Sequence, residues 1–196
     1  MNCKFRIGFS AVVLLNTFTL AALGQAINED FKILPSDGAA NRLFGYSIAS
    51  DQGIIAIGAP HDDGNGVGSG STYLFNASTG VQLAKLTPDD GVTGAEFGSS
   101  VAIHNGIVAV GAVGNEHNGV ASGSAYLFDA STGMQLAKLT PDDAAAGDAF
   151  GHSIAIHDGI VAVGAMRDDH FGDSSGSAYL FDASTGDQLT KLLPDE

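Results

Sequence analysis

Carboxylates are the residues of this chain best placed by type and spacing to do chemistry. Asp62-Asp63, Glu116, and Asp168-Asp169 with Asp173 fall in three corresponding stretches, and Asp89-Asp90 and Asp142-Asp143 form a second recurring pair. Oxygens gathered in this way suit a hard cation, which takes six to eight of them, or a ligand bound on one face of the molecule. Asp also serves turn geometry and solvation, and the loop setting favours that use. Asp62, Asp63, Glu116, Asp168, Asp169 and Asp173 therefore stand as ligand-loop candidates without an assigned ligand. Six histidines invite a metal site, yet His104 and His157 occupy equivalent turns one repeat apart, and His61, His117 and His170 lie beside acids in separate loops. Such groups meet only if the fold gathers them about an axis, so no metal is expected. No Ser-His-Asp order or nucleophile elbow is present; no catalytic residue is assigned, and the chain reads as non-enzymatic. The glycine-rich run Gly64 to Gly68 has no helix after it to cradle a phosphate.

The elements that must position these residues repeat. Phe44-Gly45, Phe97-Gly98 and Phe150-Gly151 recur at a constant step of 53 residues, as do Tyr73-Leu74-Phe75, Tyr126-Leu127-Phe128 and Tyr179-Leu180-Phe181. Pro35, Pro88, Pro141 and Pro194 keep the same gapless register. A fixed period of this size signals stacked or radially arranged units that cannot bury their apolar faces alone. Within the third copy, Phe150 to Ile156 and Ile160 to Ala165 read as strands across the turn His157-Asp158-Gly159, because Asp-Gly tolerates the positive φ of a hairpin turn. Gly176 to Phe181 and Gln188 to Leu193 supply two more strands, separated by Asp182-Ala-Ser-Thr-Gly186. Four short antiparallel strands per repeat make an all-β chain with the layout of propeller blades. The units are 44–96, 97–149 and 150–196. The aromatic pair of each Tyr-Leu-Phe strand is expected to fill the space between blades. Asn76-Ala77-Ser78 forms a glycosylation sequon, but its equivalents are Asp129 and Asp182, which points to a turn residue.

Residues 1–24 have the layout of a signal peptide: Lys4 and Arg6, an uncharged apolar stretch from Ile7 to Leu23, then small residues for cleavage. Asn16, Thr17 and Thr19 weaken the segment as a permanent membrane span. Cleavage would remove Cys3, the only cysteine, and with it disulfide, thiolate and Cys-zinc chemistry. It would also remove two of the eight cations and none of the 22 acids, taking the net charge from −14 to −16. Such a surface repels nucleic acid and anionic membrane and suits a soluble extracellular or cell-envelope protein.

The Phe-Gly strands leading to Gly58-Ala59-Pro60, Gly111-Ala112-Val113 and Gly164-Ala165-Met166 resemble the FG-GAP repeat, the blade unit of integrin α-subunit β-propellers and their bacterial relatives. The resemblance covers roughly Phe31 to Glu196. It implies a secreted, non-enzymatic module for adhesion that binds an extracellular protein or glycan through its blade loops. In that family calcium is held by an Asp-x-Asp-x-Asp-Gly loop. The matching segments here are only Asp51-Gln52-Gly53, His104-Asn105-Gly106 and His157-Asp158-Gly159, so the calcium site is not carried over and no cofactor is expected, calcium staying open only without its usual loop. Phe128-Asp-Ala-Ser-Thr-Gly133 and its copy at Phe181 also resemble a turn of quinone-dependent dehydrogenase propellers. Those usually place a tryptophan nearby, and this chain has none; Lys138 and Lys191 lie there instead. A third alternative is an accessory propeller segment of a larger exported enzyme.

Phe31 to Pro35 aligns with the fourth strand of a repeat, which would give three four-stranded blades and one extra N-terminal strand. Propellers usually need four to eight blades to close. An incomplete or open propeller is therefore expected, either a fragment or one completed by association with other copies.

Overall fold

In the computed structural model the described residues are 32–194, without 117, 118, 120 and 171. They lie almost wholly in the unit that begins at Ile33. The signal-peptide segment falls outside them. Among the described residues, no helix is long and apolar enough to cross a membrane.

Three antiparallel four-stranded sheets follow one another along the chain. The first holds β1 (Ser47–Asp51), β2 (Ile54–Ala59), β3 (Ser71–Asn76) and β4 (Gln82–Leu86). The second holds β5 (Phe97–His104), β6 (Ile107–Ala112), β7 (Ser124–Asp129) and β8 (Gln135–Leu139). The third holds β9 (Phe150–His157), β10 (Ile160–Ala165), β11 (Ser177–Asp182) and β12 (Gln188–Leu192). Each sheet is a meander in chain order, and none closes on itself. These are open blades of a propeller-like fold. The first hairpin of each blade turns through two residues of positive φ, Gln52-Gly53, Asn105-Gly106 and Asp158-Gly159, as a two-residue primed turn requires. At the second turn, Asn76, Asp129 and Asp182 all accept from the backbone N–H groups two and three residues on. Asn76 thus holds the same turn as its two aspartate equivalents.

The first strands β1, β5 and β9 lie against one another, while the fourth strands sit at the outer edge and reach the next blade through Leu86 and Leu139. The packing therefore identifies the Phe-Gly strand, rather than the small-residue second strand, as the innermost. Ala56, Leu74 and Leu86 of blade 1 pack against Phe97, Val101, Val110, Tyr126 and Phe128 of blade 2. Ala109, Ala125, Leu127 and Leu139 of blade 2 meet Phe150, Val161, Val163, Tyr179 and Phe181 of blade 3 in the same way. Each Phe-Gly phenyl stands edge-on to the Tyr and Phe of its own third strand, with centroids 5.5–5.9 Å apart, the arrangement that ring quadrupoles favour.

The FG and GA glycines face each other across the blade junctions. A Cβ on Gly58 would lie 2.0 Å from the Gly98 carbonyl oxygen, and one on Gly111 the same distance from that of Gly151. Ser47 Oγ and Ser100 Oγ donate to those two carbonyls at 2.7 Å. The dipeptides legible in the sequence are thus two sides of one inter-blade contact.

Of the expected extra N-terminal strand, Phe31 lies outside the described residues and residues 32–35 carry no ladder. The segment nevertheless takes the place of a preceding fourth strand. Ile33, like Phe44 and Ile55, packs against the blade 1 cluster of Ile57, Ala59, Tyr73 and Phe75, and the Ser36 N–H donates to Gln82 Oε1 as those of Asp89 and Asp142 do to Gln135 and Gln188. Among the described residues no third strand lies beside it to hold its backbone in a ladder. For a related reason β1 starts at Ser47, whereas β5 and β9 begin at Phe97 and Phe150. Those phenylalanines bridge to Gly70 and Gly123 of the preceding blade, and no described residue offers Phe44 such a partner.

Candidate functional site

The long β2–β3, β6–β7 and β10–β11 loops, with the connectors between blades, gather at one end of the sheets; the hairpin turns lie at the other. Backbone bonds tie each of the first two loops to the next connector, and the third to the connector before it through Arg167 N–H to Asp148 O. Gly94, Glu96 and Phe97 donate to Val67, Gly68 and Ser69, and Ala149 and Phe150 to Ala121 and Ser122. The loops are thereby fixed on a rigid frame, the usual setting for binding residues.

A charged network recurs beneath them. The Tyr73, Tyr126 and Tyr179 hydroxyls donate to Asp37, Asp90 and Asp143 at 2.9–3.0 Å. Lys85, Lys138 and Lys191 reach the same carboxylates at 2.5–2.6 Å and lie 5.1–5.5 Å from the tyrosine ring centroids, within cation–π range. Each connector is thus pegged to the outer strands of the blade it precedes. A fourth member varies. Blade 1 has Asp62, which accepts from Ser71 Oγ and pairs with Lys85, both at 2.7 Å. Blade 3 has Asp168, which accepts from Ser177, shares the single Tyr179 hydroxyl proton with Asp143, and pairs with Lys191 at 2.9 Å. Blade 2 has Asn115, whose amide donates to the Tyr126 hydroxyl.

Several of these groups are held away from their ordinary titration ranges. Burial pushes the Asp168 carboxyl up, but Lys191, Tyr179, Ser177 and the His170 N–H outweigh it and hold it at about 2. Burial likewise works against the charge of Lys191, and Asp143, Tyr179 and Asp168 outweigh that too, raising its pKa. Burial, reinforced by their aspartates, pushes the Tyr73 and Tyr179 hydroxyls up. Proton transfer at neutral pH wants a group poised near that pH, and Asp168, Lys191, Tyr73 and Tyr179 are all shifted away from it. The network is suited to fixing loops.

The six sequence candidates accordingly divide. Asp62 and Asp168 are buried, at 5% and 4% exposure, and belong to this network. Asp63 is half-exposed, paired with Arg42 and accepting from the Gly68 N–H. Glu116 and Asp169 occupy the position of Asp63 in the next two blades; Glu116 is exposed, and Asp169 caps its loop by accepting from the Ser174 N–H. Asp173 is exposed in that loop. Glu116 lines a cleft with Asp90, Val92, Thr93, Asn115 and Lys138, and Asp169 lines the corresponding one with Asp143, Ala145, Asp148, Asp168, His170 and Lys191. Lys and Asp thus recur at both clefts while the rim changes from Val92 and Glu116 to Ala145 and Asp169. In the blade 3 cleft, Asp148 replaces Ala95; burial, with Asp168 and Asp169 adding to it, pushes its carboxyl up. Asp63 lines a third cleft with Arg42, His61, Val67 and Glu96. Sequence reasoning treated the tyrosines as packing only and the lysines as bystanders. The signal was that Asp, Tyr and Lys all keep the repeat period amid apolar strands.

The hairpin end holds a separate group. His104 and His157 come together, ring centroids 4.7 Å apart, with Asp158 within ligand distance of both. His61 lines a cleft at the loop end with Tyr46, Glu96 and His152, and His117 lies outside the described residues.

No curated protein matches the chain. Among solved structures it is similar to the computationally designed Ika8 protein, with TM-score 0.50 and 21% identity over 76% of this chain. It spans only 36% of that protein's length. It is also similar to the computationally designed Ika4 protein, with TM-score 0.53 and 19% identity over 82% of this chain and 78% of the other. At these identities the likeness speaks for fold alone. The FG-GAP repeat model matches residues 27–75, 81–128 and 134–181, each match ending on the phenylalanine of a Tyr-Leu-Phe strand. The glycine contacts at the blade junctions and the three matches agree: the chain belongs to the FG-GAP repeat family.

Proposed function

We propose that this chain is a secreted, non-enzymatic adhesion module that binds an extracellular protein or glycan at its loop end. The observation that carries the reading is the pair of corresponding clefts, whose Lys and Asp recur while the rim residues change from blade to blade. A fixed scaffold with variable loops is how repeat proteins diversify binding. The protonation states derived above favour recognition over proton transfer, and the apolar N-terminal segment after Lys4 and Arg6 supports export. The test is a screen of the full chain against extracellular proteins and a glycan array. Saturable binding that falls at least roughly tenfold when Asp63, Glu116, Asp169 and Asp173 are changed to Asn or Gln is expected. Binding insensitive to all four, or no saturable binding, contradicts the proposal.

The partners include other copies of the chain. Leu74 and Leu127 are fully buried at the blade junctions, whereas their equivalent Leu180 is only half-buried and Leu192 is 48% exposed. On the outer face of blade 1, Ile48 is 63% exposed where its equivalent Val101 is buried. One copy's blade 3 can therefore meet another's blade 1 through these apolar faces, its β12 displacing residues 32–35 from the fourth-strand position that they fill in the single chain. Sedimentation is expected to show association that rises with concentration and is lost in Leu180→Lys. A monomer at every concentration contradicts this part of the proposal.

A further inference from the structure

We propose that His104, His157 and Asp158 form a divalent transition-metal site, zinc by preference, that staples blade 2 to blade 3 at the hairpin end. The β5–β6 and β9–β10 turns share one backbone conformation, φ 48° and 79° in the first and 45° and 79° in the second. Identical turns on adjacent blades put the two imidazoles side by side, and the left-handed position at the tip carries Asp158. His104 Nε2 lies 3.5 Å from Asp158 Oδ1, and His157 Nε2 lies 3.3 Å from Asp158 Oδ2. Ligand atoms around a tetrahedral zinc, with bonds of about 2.0–2.1 Å, stand roughly 3.3 Å apart. Each imidazole thus stands near coordination spacing from an oxygen of Asp158, and the ligand atoms of all three residues lie within 4.8 Å of one another.

Two imidazoles and one carboxylate suit zinc and its neighbours rather than calcium, which wants many oxygens. His157 and Asp158 are each 78% exposed as side chains and His104 is 23% exposed, so water can complete the shell. The frame around His104 is already fixed. The Asn105 N–H donates to Asp51 Oδ2 at 2.7 Å, and Gln52 Nε2 donates to Asn105 Oδ1 at 2.9 Å. The Asn105 amide nitrogen lies 3.0 Å from His104 Nε2, and the ion takes over that lone pair. Blade 1 offers Asp51 and Gln52 at the equivalent positions, with no imidazole, so among the described residues only the blade 2–3 junction has this donor set. The site differs from the family's calcium loop in donor type and in drawing ligands from two blades.

The test is calorimetric titration of the full chain with zinc chloride, and separately with calcium chloride, paired with thermal melts. One zinc per chain is expected, raising the melting temperature by on the order of 5 °C at saturating metal, with no such shift from calcium. His104→Gln, His157→Ala and Asp158→Asn each lose at least roughly tenfold in affinity, and His170→Ala at the loop end loses none. The metal-free His157→Ala chain melts with the parent, since an exposed side chain contributes little to stability, which separates loss of binding from loss of fold. Absence of zinc binding, undiminished binding in His157→Ala, or binding that depends on His170 overturns the proposal.

Discussion

Gly111→Ala is expected to destabilise the protein by about 3 kcal/mol, the upper end of overpacking costs, while Gly164→Ala costs less than about 1 kcal/mol. The two glycines occupy the same position in neighbouring blades and differ in what lies opposite. A methyl on Gly111 meets the Gly151 carbonyl oxygen at 2.0 Å and its carbon at 2.9 Å, both backbone, so blade 3 must move away as a body. A methyl on Gly164 meets only Ser153, whose Oγ stands 2.4 Å away and can rotate aside. Removing glycine from a strand also restricts the unfolded chain, which favours the folded state where space exists. Thermal melts of the two variants test this. Equal losses would show that the glycine is needed by its own strand rather than by the blade junction.

Lys191→Met is expected to cost about 3 kcal/mol, well above the roughly 1 kcal/mol expected for Lys138→Met. Lys191 answers two carboxylates, half-exposed Asp143 and buried Asp168, and its loss strands the buried one. Lys138 pairs with Asp90, which is itself half-exposed, and the neighbour in the buried position is the neutral Asn115. The same carboxylate sets an acid limit. Asp168 titrates at about 2 when folded, against 3.8 for an unperturbed aspartate, so the unfolded chain takes up the proton first as pH falls. Its contribution is fully present above about pH 4 and is lost as pH drops through about 2. Asp148, whose carboxyl is held up, acts in the opposite sense. Chemical denaturation between pH 5 and 2 should therefore show a smaller acid loss in Asp168→Asn than in the parent. Identical pH profiles, or equal costs for the two lysines, would contradict this assignment.

Much of the fold was legible because turn chemistry and the repeat reinforce each other. Asp158-Gly159 and Asn105-Gly106 mark the first hairpins, Asp-Ala-Ser-Thr-Gly marks the second, and the gapless period transfers each assignment to all three blades. What escaped depends on neighbours in space. Phe31 to Pro35 has the composition of a strand, but a ladder needs an adjacent strand, and only the packing of Ile33 survives. The innermost strand was not legible, since it is set by the Gly58–Gly98 and Gly111–Gly151 approaches and not by residue size along one strand. Among the acids, adjacent aspartates such as Asp62-Asp63 alternate between a buried partner of lysine and an exposed rim residue. In the sequence they are indistinguishable, apart from the hint that Asn115 replaces one of them. His104 and His157 were recognisable as equivalent, but their 4.7 Å separation is a property of how the blades stack.

The division of the acids between frame and rim is measured most directly by comparing two multiple variants for melting temperature and ligand binding. One changes Asp63, Glu116, Asp169 and Asp173 to their amides; the other changes Asp62 and Asp168 to Ala. The first is expected to keep the parental melting temperature within about 2 °C and to lose binding, whereas the second loses stability outright. A rim variant that binds like the parent, or one that unfolds with the buried-pair variant, would contradict the assignment of the loop end as the binding surface.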